Sequence, residues 1–201
     1  GANCLQASLR AGAVTTLDRV DTIADGTAVK TPGENIFPYL QENLDDIITI
    51  EDDELIVAFL DVLENHKLLV ENSGLLTVAA LKHLPAENKK VVSILSGGNM
   101  DIITLSSVVQ NGLIQRSRIF TVSVRLPDVP GQLNKVSGVI ADAKGNVIKL
   151  EHNQFISVNR NSSVELIITM EAFGEEHKKS IIQALRNAGF EPEERNPRAL
   201  Y

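Results

Sequence analysis

The sequence has no tryptophan and only two tyrosines and six phenylalanines among 201 residues, too few aromatic rings to build a stacking surface for bases. Basic residues are also scarce. Lys and Arg number 19 against 26 Asp and Glu, whereas a phosphate-backbone partner calls for the reverse, so nucleic acid is disfavoured. Cys4 is the single cysteine; no internal disulfide can form, and one Cys with four scattered His offers no metal-ligand spacing. These features suit a reducing cytosol. No run of about 18 apolar residues occurs, and the first residues lack a basic segment followed by an apolar stretch, so neither membrane nor export is indicated. What is present, 43% hydrophobic residues, suffices for one large or two small cores.

Charge is unevenly placed. Residues 1–112 hold 16 acids and 7 bases, net −9, while residues 113–201 hold 10 acids and 12 bases, net +2, which together give the overall −7. The shift suggests two domains meeting near Asn111 and Gly112. Residues 111–118 are polar and basic between apolar regions and read as a short linker. The expected division is therefore residues 1–112, a connection at 113–118, and residues 119–201.

In the first part, residues 20–30 mix β-branched residues with Asp25-Gly26 and predict extended chain broken by a turn. Ile36, Phe37, Leu40 and Leu44 recur at helical spacing, and residues 46–50 read as a short apolar strand. Thr49 with Asp52 three residues on has the form of a capping box, with Glu51, Asp52, Asp53 and Glu54 in the first turn of a helix running to about Asn65. Acids at a helix start complement its dipole and require no cation. Residues 75–84 predict another helix, stopped by Pro85. Residues 91–95 (VVSIL) have buried-strand character, followed by Ser96-Gly97-Gly98-Asn99 and a helix over about 100–110. A strand, a Gly-Gly turn and a helix start gather free backbone N–H groups that suit an anion or cofactor; the same glycines also serve merely to turn the chain.

Four segments in order then become specific: IADGTAVK at 23–30, DDI at 45–47, ENSG at 71–74 and LSGGN at 95–99. Together they resemble the threonine dehydratases, relatives of the serine racemases within the tryptophan-synthase-β-like group of pyridoxal-phosphate enzymes. The resemblance implies an α/β fold whose partial open sheet lies in residues 1–112. It implies that the Ser96 hydroxyl meets the pyridine nitrogen of the cofactor, that Gly26 and Glu71 lie beside it, and that Gly97 and Asn99 shape the turn. A neutral hydroxyl partner leaves the ring a milder electron sink than a carboxylate does, which suits β-elimination of threonine to 2-oxobutanoate and ammonia. For Glu71 the residues alone leave a second reading open, an acid ahead of a helix. The family's cofactor-bearing lysine, its substrate-binding segment and its phosphate loop have no counterpart here, and Lys30 and Lys82 lack the lysine's context. The expectation is a carboxy-terminal portion that is inactive alone and has no catalytic residue of its own.

The second part reads as βαββαβ. Residues 119–126 alternate as a half-buried strand and break at Pro127. Leu133, Val136, Val139 and Ile140 mark a helix that Gly145 is expected to cap. Residues 147–158 and 163–173 predict a hairpin joined by Asn159-Arg160-Asn161-Ser162; residues 174–188 predict a helix, with a last strand from Gly189 and a loose tail from Asn196. That order is ferredoxin-like, a scaffold with many uses. LPDVPGQL at 126–133, followed by Gly145-Asn146-Val147, resembles the amino-acid-binding ACT module. The helix entry, with Gly131 permitting close approach, suits a carboxylate. Asp128 and Asn146 supply polar groups, Pro130 shapes the turn, and Leu133 and Ile148 offer apolar contact. His152 reads as an ordinary strand residue.

The combined expectation is the carboxy-terminal part of a cytoplasmic, allosterically regulated threonine dehydratase. Its effector would be isoleucine or valine, bound where ACT modules of a homo-oligomer pair across a two-fold axis. The competing reading is a non-catalytic amino-acid-sensing or assembly module. Within the enzyme class, serine or hydroxyaspartate dehydration stays open.

Overall fold

Residues 1–112 are organised around one helix, α3 (Asp52–His66), whose buried face carries Leu55, Ala58, Phe59, Leu60 and Val62. These side chains pack with Ala24, Val70, Leu75, Ala79 and Val108 into a single apolar cluster. The computed structural model describes residues 1–85, 88–153 and 164–196. Within it α1 (Cys4–Ala11) and α2 (Phe37–Asn43) precede α3, and α4 (Leu76–Ala79) and α5 (Ile102–Gln115) follow.

The capping box of α3 is shifted from the expected position. Glu51 is the N-cap and exchanges bonds with Glu54, whose carboxylate accepts the Glu51 N–H at 2.9 Å. Asp52 is taken by tertiary partners instead: it accepts the Thr22 hydroxyl at 2.6 Å and the Ile23 N–H at 3.0 Å. The expected helix over 75–84 is fragmented into a 3-10 turn (Asn72–Leu75), α4, and a second 3-10 turn (Ala80–His83). Leu84, ahead of Pro85, is extended, as the steric demand of a following proline requires.

No strand forms in residues 1–112 among the described residues. Residues 20–30 contain only a 3-10 turn, Asp25–Thr27, and the runs at 46–50 and 91–95 are unpaired. A short apolar run becomes a buried strand only where neighbouring strands flank it. Here Val92 stays 90% exposed and Ile94 73%, and the segment is held by single bonds, Thr77 Oγ1 to the Ile94 carbonyl at 2.9 Å and Ser93 Oγ to the Thr77 carbonyl at 3.3 Å. α5 is capped by Asp101, which accepts the N–H groups of Ile103 and Thr104 at 2.9 and 3.0 Å. It continues to Gln115, through much of the segment read as linker. Gly112 permits this packing: a Cβ there would stand 2.6 Å from Leu60 Cδ1.

Residues 113–201 form a second unit. Strands β1 (Ile119–Leu126), β2 (Asn146–Asn153), β3 (Val164–Glu171) and β4 (Pro192–Arg195) make an antiparallel sheet in the order β2-β3-β1-β4. With α6 (Gln132–Asp142) and α7 (Glu175–Asn187) this is the ferredoxin-like βαββαβ arrangement. Alternate residues of the central strands, Val122, Val124, Leu166, Ile168 and Met170, meet Val136, Ile140, Ile181 and Leu185 of the helices in one fully apolar core. The left-handed residue after α6 is Lys144 (φ 61°), not the expected glycine. Gly145 serves another purpose, since a Cβ there would lie 2.8 Å from Ile140 Cγ2 and 3.1 Å from Ile181 Cδ1. The expected turn at 159–162 and most of the tail lie outside the described residues; the antiparallel register of β2 with β3 is that of a hairpin.

Candidate cofactor and effector sites

Three segments far apart in sequence meet in residues 1–112. The Glu71 N–H donates to the Gly97 carbonyl at 3.3 Å, and Gly97 has φ +74°, the left-handed region that favours glycine. A Cβ on Gly97 would fall 2.1 Å from Glu71 Cδ. On the other side, a Cβ on Gly26 would come within 2.9 Å of Ser73 Oγ and 3.6 Å of Glu71 Oε1. A Cβ on Gly74 would collide with the Ser96 carbonyl at 1.8 Å. Gly26, Glu71, Ser96 and Gly97, singled out from sequence, thus stand in one cluster. Asn99, two residues on, lines with Glu71 an adjoining cavity of about 490 Å³.

The chemistry of the cluster is compatible with one edge of a pyridoxal phosphate ring. Its glycines leave space that side chains would fill, Ser96 carries an exposed hydroxyl able to donate to a ring nitrogen, and Ser73 Oγ is buried without a partner among the described residues. The polar groups gathered there include no amine for an aldehyde and no cation for a phosphate. Lys30 Nζ donates to the Asp18 carbonyl at 3.0 Å, and Lys82 pairs with Glu54 at 2.6 Å. Ser73 and Asn72 join these residues without having been expected as site residues; their place beside Glu71 in the ENSG segment is the only signal the sequence offers.

Away from this cluster, the Lys82 ammonium holds the Glu54 carboxyl down to about 2, against a desolvation that acts upward, with the Glu51 N–H and His83 helping Lys82. His83 Nε2 lies 2.9 Å from the same oxygen. The group ties the start of α3 to the turn after α4. No group of three His, Cys, Asp or Glu able to hold a metal ion occurs among the described residues. Nor is any described helix long and apolar enough to cross a membrane.

In residues 113–201, Asp128, Pro130, Gly131 and Leu133 border one cavity of about 310 Å³, closed on the sheet side by His152, Val164 and Leu166. Gly131 is the N-cap of α6 at φ +90°, and a Cβ there would meet nothing within 4 Å. The helix start therefore faces open space. Asn146 and Ile148 stand elsewhere. Asn146 pairs with Glu171 at the end of the sheet opposite Leu126, seven residues along β3, or about 23 Å at strand rise. Its amide donates to Glu171 Oε2 at 2.7 Å, and Ile148 sits at an irregularity of the β2 ladder. One chain thus gathers four of the six expected effector residues and holds the other two apart. His152 is the addition. The alternation that turns Lys149 and Glu151 to one face of β2 turns Leu150 and His152 to the other, toward the helices.

Comparison with known proteins agrees with both halves. Residues 1–97 match the family model described as pyridoxal-phosphate dependent enzyme, and residues 120–190 match the ACT domain. An L-threonine ammonia-lyase of Geobacter sulfurreducens is 36% identical over 185 residues, which is 91% of this chain and 46% of the relative. An L-threonine ammonia-lyase of Thermotoga maritima is 31% identical over 186 residues, 92% of this chain and 46% of that protein. The chain spans about half the length of these curated relatives. Among solved structures, the processed form of threonine deaminase isoform 2 from Solanum lycopersicum is 32% identical with a TM-score of 0.51, covering 55% of this chain and 34% of the other.

Proposed function

This chain belongs to the threonine ammonia-lyase family of pyridoxal-phosphate-dependent enzymes, and from that premise we propose that it is the carboxy-terminal portion of an enzyme converting L-threonine to 2-oxobutanoate and ammonia. The observation that carries this is the meeting of Gly26, Glu71 and the Ser96-Gly97 turn. Pyridoxal phosphate, when bound, supplies the electron sink for loss of the α-proton and β-hydroxyl. Ser96 would donate its hydroxyl to the ring nitrogen, Gly97 and Gly26 would let the ring approach, and Glu71 would fix the turn through its backbone bond to Gly97. In the enzyme that carries this chain, Ser96→Ala should lower kcat for 2-oxobutanoate formation about 10-fold or more, the worth of one hydrogen bond to a charge-bearing ring. Unchanged turnover together with an unchanged cofactor spectrum would remove Ser96 from the site.

The ACT module is read as the regulatory part, taking isoleucine first and valine second. In this reading the carboxylate lies at the Gly131 helix entry, and Leu133 and Ile148 contact the side chain. One chain cannot bring Asn146 to that entry. An antiparallel pairing of two β2 edges across a two-fold axis would, because it sets the start of one strand against the end of the other, where His152 borders the cavity. A second reading, a sensing or assembly module without catalysis, draws on the contrast between a complete sheet in residues 113–201 and none in 1–112 among the described residues. Failure of the cofactor to bind the enzyme at all would favour it.

A further inference from the structure

The cavity of about 310 Å³ at the entry of α6 is bordered, among the described residues, by two side chains that can carry charge, Asp128 and His152. They belong to different elements, Asp128 to the loop after β1 and His152 to β2, where it stands opposite Leu166. Neither side chain takes part in a hydrogen bond or ion pair among the described residues. The rest of the lining adds no competing charge. β3 contributes Val164 and Leu166, both buried, and α6 contributes Gln132 and Leu133. Lys149 and Glu151 of β2 and Glu165 of β3 border a separate cavity on the opposite face of the sheet. His152 is therefore the one side chain here, among the described residues, that can present positive charge, and it does so beside an α6 start with no side-chain cap.

We propose that His152 is the specificity-determining residue for the carboxylate of the amino-acid effector, its protonated ring donating to that carboxylate while Asp128 accepts from the effector's ammonium. A zwitterion needs both signs of charge within one small cavity, and Asp128 and His152 supply one each on facing elements. Beside the buried Val164 and Leu166 such a pairing is screened less than it would be in open water. The bound carboxylate favours the charged ring, so binding takes up a proton and weakens as pH rises. Asp128 is the other titratable group of the lining, and carboxylates stay ionised across the range in which imidazole side chains charge. The proposal rests on the reading of the ACT module as an amino-acid site and adds to it the residue that recognises the acid group.

The test is calorimetry on the 201-residue chain with isoleucine and valine at about pH 8 and about pH 5.5, which bracket the titration of imidazole side chains. Binding of the tighter of the two should be about 10-fold stronger at the lower pH, the worth of one hydrogen bond between charged groups. L-Isoleucinol, which keeps the ammonium and the side chain but lacks the carboxylate, should bind equally at both. His152→Gln keeps a donor that cannot charge and should hold the weaker affinity throughout. His152→Lys, charged at both pH values, should restore the tighter binding at the higher one. No binding of isoleucine or valine at either pH would overturn this proposal together with the amino-acid reading. Effector binding that is equal at both pH values in the wild type, or that keeps its pH dependence in His152→Gln, would overturn this proposal alone.

Discussion

Glu54 shows how one side chain can serve a helix and a fold at once. Its carboxylate closes the capping box of α3 and binds Lys82 and His83 across the turn after α4. With its pKa drawn from 4.5 to about 2, the folded state binds the proton less readily than the unfolded chain. The resulting stability is present above about pH 4.5 and is lost as pH falls toward 2. Glu54→Gln keeps an acceptor for the cap but has no proton to take up. Acid titration of unfolding should therefore give a flatter curve for the variant between those limits, and superimposable wild-type and variant curves would contradict the assignment. At the same scale, Gly97 and Gly26 are needed because of what stands opposite them. Their necessity was visible in sequence as a motif, but only the approach of Glu71 and Ser73 explains it.

Among elements, the segment at 91–95 and strand β3 form the sharpest contrast. Both are short, apolar and β-branched. β3 lies between β1 and β2, with its backbone groups shared on both sides, whereas 91–95 has no ladder and is tied by two side-chain bonds. Hydrogen exchange should find the amides of 91–95 among the fastest outside the termini and those of Leu166, Ile168 and Met170 among the slowest, since unpaired backbone opens at almost no cost. Protection of 91–95 equal to that of β3 would show a pairing partner. The apolar side chains of Val92 and Ile94 also leave an unpaired edge that invites association. Helix periodicity was the more legible signal: α3, α5, α6 and α7 lie close to their expected positions because a helix satisfies its own backbone, while a strand depends on neighbours that a local pattern cannot supply.

For the whole molecule, the decisive quantity is the distance between the two parts of the proposed effector site. Gly131 and Asn146 lie at opposite ends of one sheet, so effector binding and pairing of ACT modules should be linked, each strengthening the other. Calorimetry with isoleucine, valine, threonine and serine should give the tightest binding for isoleucine. Gly131→Val and Asn146→Ala should each weaken it about 10-fold or more, and sedimentation should show isoleucine shifting the chain toward the dimer. Binding unaffected by both substitutions would leave the module as an assembly surface alone.

What the sequence by itself determined is the identity of the parts. Four motifs in order and the LPDVPGQL helix entry marked the family and its ACT module, and hydrophobic periodicity located the ferredoxin-like elements, because such signals are local and repeat within a turn or a strand. The tertiary structure decided what those parts meet. It moved the capping box to Glu51 when Asp52 was claimed by Thr22 and Ile23, and it left 46–50 and 91–95 without ladders. It also brought His152 to the cavity at the entry of α6 and buried Asn72 with an acceptor unpaired among the described residues. Each of these outcomes depends on a contact between residues remote in the chain, and a pattern read along one segment carries no information about which distant backbone or carboxylate will arrive beside it.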